Sequence, residues 1–116
     1  MKEERGIIFY KHYFIDFYIN QNQKVQLKID YVFMVLKTVN IIPTSFIKHI
    51  SGSEGLYEVR IQYESDIFRI FCCFDQGNII VLFNACQKKS QKLPMKEIRK
   101  AITLKQEYIQ SKKDIP

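Results

Sequence analysis

Between Leu56 and Gln87 the chain holds three apolar runs separated by two short polar breaks, an order that few folds satisfy. In the first run Tyr57, Val59, Ile61 and Tyr63 alternate with Glu58, Arg60, Gln62 and Glu64, which is the period of a strand with one buried face. Ser65-Asp66 then reads as a turn, "IFRIFCCF" as a second strand, Gln76-Gly77 as another turn, and "IIVLFNACQ" as a third strand. Breaks this short join antiparallel neighbours, so the segment predicts a meander with strands over 56–64, 67–75 and 78–87.

The flanking segments complete the layout. A short strand is expected over 6–10 and a helix over 12–20. From Gln23 to Val39 the residues Val25, Ile29, Val32, Leu36 and Val39 recur at helical spacing, giving a second helix that stops before Pro43 and forms a hairpin with the first. "SGSEG" at 51–55 is the flexible-looking internal stretch. Pro94 falls in the first turn of a last helix over 95–111, where its missing N–H is tolerated. Ile98, Ala101, Ile102, Lys105, Tyr108 and Ile109 give that helix one packing face. The expected class is α+β: two N-terminal helices packed on a small antiparallel sheet, with a C-terminal helix, in one domain over 1–116.

Several functions are excluded at this stage. At 116 residues and 47% hydrophobic content the chain can bury a core, yet no apolar run approaches the roughly 20 residues of a membrane helix. The opening "MKEERGIIFYKHYF" has acidic residues and no small-residue cleavage site, so a cytoplasmic protein without membrane association is expected. Cys72, Cys73 and Cys86 lie in apolar runs without metal-type spacing and read as buried thiols. His12 and His49 stand beside no other candidate ligand, and the carboxylates do not cluster, so neither a metal site nor a cofactor is expected. His49 reads as structural or solvent-facing, and Tyr108 as core.

Charge is distributed unevenly. Residues 1–83 carry nine Lys/Arg and nine Asp/Glu, whereas residues 84–116 carry nine Lys/Arg against three acids, so the whole net charge of +6 lies in the last third. It begins where the third strand runs, without a spacer, into Lys88, Lys89 and Lys92. If Ser65-Asp66 is a two-residue loop, Arg60 pairs with Phe71 and is a diagonal neighbour of Arg69. If Gln76-Gly77 is the next loop, Arg69 pairs with Asn84. Glu58, Arg60, Gln62, Arg69, Asn84 and Lys88 then form one polar surface, opposite a core face of Val59, Ile61, Tyr63, Phe68, Ile70, Cys72 and Phe74. Two close arginines need an anion, either the Glu58 carboxylate in a salt-bridged patch or an external phosphate. The neighbouring lysines favour the phosphate.

"GLYEVRIQYESDIFRIFCCFD" followed by "LFNACQKKSQKLPMKEIRKA" resembles the RelE/ParE superfamily of toxins, in its phage-derived HigB-like branch. The carrying motifs are Gly55-Leu56-Tyr57-Glu58-Val59-Arg60, Phe68-Arg69-Ile70, and Lys88-Lys89-Ser90-Gln91-Lys92-Leu93-Pro94 leading to Glu97-Ile98. The match is detailed from Leu56 to Ala101. Asn84 stands where the branch often has a histidine, so no histidine role carries over there.

The resemblance implies a RelE-like fold and the toxin of a type II toxin–antitoxin system, acting as a ribosome-dependent, metal-independent mRNA endoribonuclease. Its partners would be the ribosome, mRNA and a helix-turn-helix, HigA-like antitoxin. The chemistry would be attack of an RNA 2′-hydroxyl on the adjacent phosphate, which needs proton transfer and stabilisation of a charged phosphorane. Catalytic candidates are Arg60 and Arg69 as phosphate holders, and Lys88 or Lys89 as a base whose pKa is lowered by cationic neighbours. Glu58, Asn84, Lys92, Lys96 and Arg99 are the RNA-binding candidates, although a solvated helix face equally explains the last two. Two other classes remain open: a ParE-like gyrase poison, and a non-catalytic basic nucleic-acid-binding module.

Overall fold

The period-two run becomes the strand next to one edge of a five-stranded sheet in the computed structural model, which describes residues 4–88, 92 and 94–113. The chain order is β1 (Gly6–Phe9), α1 (Tyr13–Ile19), α2 (Gln23–Thr38), β2 (Ile47–His49), β3 (Tyr57–Tyr63), β4 (Asp66–Asp75), β5 (Ile79–Lys88) and α3 (Met95–Lys113). The α+β layout is the one expected from the sequence. Spatially the strands run β1-β5-β4-β3-β2. β2 through β5 are antiparallel, but β1 lies parallel to β5, so the sheet is mixed where an antiparallel one was expected.

α2 forms because Asn22 caps it, its side chain accepting from the Val25 N–H at 2.9 Å, and because Val25, Ile29, Val32 and Leu36 make one continuous buried stripe. At its other end the Arg5 guanidinium donates to the carbonyls of Leu36, Val39 and Asn40, a cation at the negative pole of the helix. The stripe packs with Phe14 of α1 on Val59, Ile61, Phe68, Ile70 and Cys72 of the sheet. This is the core face expected for β3 and β4, with one correction: Phe74, at the strand end, is 43% exposed.

The opposite face departs from expectation. It is not one wet polar surface, because α3 covers half of it. Leu56, Phe71, Cys73, Val81 and Phe83 pack there against Ile98, Ala101 and Leu104, so the sheet is buried on both sides. Of the supposed polar set, Arg69 and Asn84 are buried.

Both turns also differ from expectation. The β3–β4 loop is Glu64-Ser65, with Tyr63 opposite Asp66. Asp66 joins the ladder and its carboxylate accepts from Gln87 on β5 at 3.3 Å. Arg60 therefore faces Arg69 directly, not diagonally. The β4–β5 loop has three residues, Gln76-Gly77-Asn78, the last two at φ 76° and 59°, a region that glycine and asparagine tolerate. One extra loop residue inverts the predicted facing of β5, and a bulge in β5, where Phe83 and Asn84 together oppose the single residue Phe71, inverts it back. Arg69 consequently opposes Cys86, not Asn84, while Asn84 still turns to the arginine side. The "SGSEG" stretch is an ordered turn, in which Ser53 Oγ donates to Ile50 O at 2.6 Å and accepts from Leu56 N–H at 3.3 Å. Among the described residues no helix is long and apolar enough to cross a membrane.

Candidate functional site

Direct pairing of Arg60 with Arg69 sets their Cβ atoms about 5 Å apart, a repulsive arrangement for two cations. Their surroundings differ. Arg60 is exposed and forms no ion pair with a described residue. Arg69 is 7% exposed, and its Nε lies 3.3 Å from Glu58 Oε2. Glu58 faces the same side because it stands two residues before Arg60 on β3. The contact is Coulombic and badly aligned: Glu58 Oε2 is buried without a hydrogen-bond donor, and no side-chain hydrogen bond joins Arg69 to any described residue. A buried guanidinium with five N–H donors and one misdirected carboxylate retains most of its capacity to bind an anion.

A cavity of about 160 Å³ opens beside this pair, lined by Lys48, His49, Ser51, Glu58, Arg69 and Ile98. β2 builds its outer wall, since Lys48 pairs with Glu58 and His49 with Tyr57 across the β2–β3 ladder. The His49 ring stands edge-on to Tyr57, centroids 5.2 Å apart, with Nε2 3.5 Å from Ser53 Oγ. The inner wall is α3, which begins after Pro94, whose carbonyl accepts from the Ile98 N–H at 2.9 Å. Asn84 fixes that wall by donating Nδ2–H to Glu97 O at 3.0 Å and to Glu97 Oε1 at 3.2 Å, leaving its own Oδ1 buried without a donor. Cys86 lies between Arg69, Glu58 and Glu97; burial first, then the two carboxylates, push its thiol up to about 11, so it is not a thiolate nucleophile at neutral pH.

Lys88 closes β5 opposite Ile67, half-buried and diagonal to Arg69 on the same face. Lys89 lies outside the described residues. Lys92 is exposed, and Lys96 and Arg99 are exposed on the first turns of α3, flanking Ile98. The structure thus brings Glu58, Arg60, Arg69 and Lys88 onto one sheet face, while Asn84 serves as the tether of α3. Sequence reasoning missed Lys48, Ser51 and Glu97, and set His49 aside. The signal for Lys48 and His49 was weak, because β2 has three residues and shows no alternation long enough to read. Among the described residues no group of three or more His, Cys, Asp or Glu is placed to hold a metal ion.

Residues 17–106, over three-quarters of the chain, match the family of phage-derived Gp49-like proteins (DUF891). No curated protein matches the chain.

Proposed function

Because the chain belongs to the phage-derived Gp49-like family, which is associated with RelE-type, toxin-like proteins, we propose that it is the toxin of a type II toxin–antitoxin system and cuts mRNA on the translating ribosome. Arg69 is the observation that carries this: a guanidinium nine-tenths buried, weakly satisfied by Glu58, and paired across the strands with a second arginine. A phosphodiester placed between Arg60 and Arg69 relieves their repulsion and supplies the acceptors that Arg69 lacks. As the RNA 2′-hydroxyl attacks, charge grows on the phosphorane oxygens, and the two cations stabilise that charge more than the ground state. Lys88 or Lys89 takes the 2′-hydroxyl proton, the P–O5′ bond breaks to leave a 2′,3′-cyclic phosphate, and the departing 5′-oxygen is protonated by the other lysine or by water. Glu58 holds Arg69 in place before substrate arrives, and Lys92, Lys96 and Arg99 contact the RNA backbone. A helix-turn-helix antitoxin keeps the toxin silent in the cytoplasm. The Arg69–Glu58 ion pair also favours a second reading, a basic module that grips nucleic acid without cutting it.

The test is translation of a defined mRNA by purified ribosomes with wild-type protein and with Arg69→Ala. Cleavage by the wild type that persists with chelator, and an Arg69→Ala rate lower by about 10²–10³, are expected. Intact mRNA with undiminished ribosome binding would leave the grip without the chemistry, and trapped gyrase–DNA complexes would make the protein a gyrase poison.

A further inference from the structure

The proposed phosphate cleft is the first of three depressions in a row along one flank of α3. The second, about 360 Å³, lies one turn further on, between Ile102 and the turn at Gly52–Glu54. The third, about 410 Å³, is walled by Phe74, Tyr108 and Lys113, and shares Lys105 and Ile109 with the second. The helix spacing explains the row: 98, 102, 105, 109 and 113 are separated by three or four residues and form a single stripe. Three lysines along the row, Lys48, Lys105 and Lys113, form no ion pair with a described residue, whereas Lys112 at the far end is held by Asp75 at 2.5 Å. At 1.5 Å of rise per residue, Ile98, Lys105 and Lys113 follow one another at intervals of about 11 Å, over a total of about 22 Å. Ile109, 39% exposed, offers apolar surface between the cations.

We infer that this flank is a track for single-stranded RNA leading away from the cleft, with Lys105 and Lys113 contacting phosphate groups about two nucleotides apart and Ile109 seating a base between them. The inference rests on the reading of the Arg60–Arg69 cleft as a phosphodiester site. It assigns the substrate about four nucleotides of extended strand beyond the cleft, within the range of known single-strand sites. Two cations about 12 Å apart that continue a phosphate site match a polyanion with a repeating charge, and apolar floor between them suits the faces of bases.

The probe is a fluorescein-labelled 2′-O-methyl oligouridine octamer, which lacks the attacking hydroxyl and cannot be cut. Its anisotropy is followed with the full chain across about 50–200 mM salt. Each lost phosphate contact lowers the log–log salt slope by about 0.7, so Lys105→Gln/Lys113→Gln is expected to reduce it by about 1.4 and to weaken binding by roughly tenfold. Lys105→Arg/Lys113→Arg, which keeps the charges, restores the slope. Lys24→Gln/Lys28→Gln on α2 removes equal charge away from the groove and leaves the slope within about 0.3 of wild type. If the groove pair loses no more slope than the α2 pair, the track is wrong. Ribosome-dependent cleavage by the wild type is scored separately. A protein that never cuts, yet shows the selective slope loss, retains the track and loses the nuclease reading; a cutting protein without that loss does the reverse.

Discussion

Replacing Glu58 by glutamine leaves the Arg69 guanidinium without its carboxylate, and the burial of the pair sets the size of the effect. An exposed pair would be worth about 0–1 kcal/mol. With the Arg69 and Glu58 side chains 9% and 14% exposed, the pair belongs instead to the buried class, where removing one partner costs about 3–5 kcal/mol. The misaligned contact points to the lower end, about 3 kcal/mol. For a domain of this size, at about 4 °C per kcal/mol, the midpoint of thermal unfolding of Glu58→Gln should fall by about 12 °C. Sulfate, standing in for a phosphodiester, should recover about 1.4 kcal/mol at ten times its dissociation constant, or about 6 °C. Glu58→Gln/Arg69→Met, which removes both charges, should unfold well above the single variant. Calorimetric scans with and without sulfate decide the matter. A fall below about 4 °C, or a double variant no more stable than the single, would refute the account of Arg69 as a desolvated, under-satisfied cation.

Other outcomes follow from neighbouring groups. Asp75 is held down to about 2, chiefly by the Lys112 hydrogen bond and then by Tyr108, so its folded value lies below its ordinary 3.8. Its stabilisation is therefore complete above about pH 4 and is lost as pH falls towards 2; Asp75→Asn should erase that part of the acid transition in denaturant midpoints, about 1 kcal/mol after allowance for the half-exposed Lys112. Tyr108, pushed up to about 12 mainly by burial, has the opposite sign: its contribution holds below its ordinary value of 10 and fades between pH 10 and 12, which ultraviolet titration of Tyr108→Phe against wild type will show. Burial raises all three thiols, so iodoacetamide at neutral pH should label the native chain far more slowly than the urea-unfolded chain, a result that fast labelling of Cys86 would contradict.

Apart from β2, element order was legible because the longer elements announce themselves: a period of two in β3, of 3.6 in α2, and Pro94 at the head of α3. Exact register was not, since Asp66 is as good a turn residue as a strand-start residue, and nothing local marks the bulge at Phe83-Asn84. The second core had left a trace. "IFRIFCCF" is apolar at both parities around Arg69, the mark of a strand covered on both faces, so Phe71 and Cys73 already called for a helix where a wet surface was expected. Within the site, Glu58, Arg60 and Arg69 were readable because strand alternation fixes their common side. Lys48 was not, because its neighbourhood depends on a three-residue strand paired across the "SGSEG" turn, and Glu97 was not, because its contact with Asn84 is set by how α3 docks.

The parallel pairing of β1 with β5 joins Gly6 to Ile79 and Phe9 to Leu82, segments more than seventy residues apart. During synthesis at about 5–20 residues per second, β1 therefore waits some 4–15 s for its partner, and the stripe of α2 waits for the strands it covers. A chain whose synthesis has reached only β5 can display Arg69 but not the wall that buries it, because α3 follows β5 in the sequence. Until α3 docks there is no finished cleft, so whatever chemistry the cleft performs is withheld from any chain in which β5 has not yet been joined by its helix.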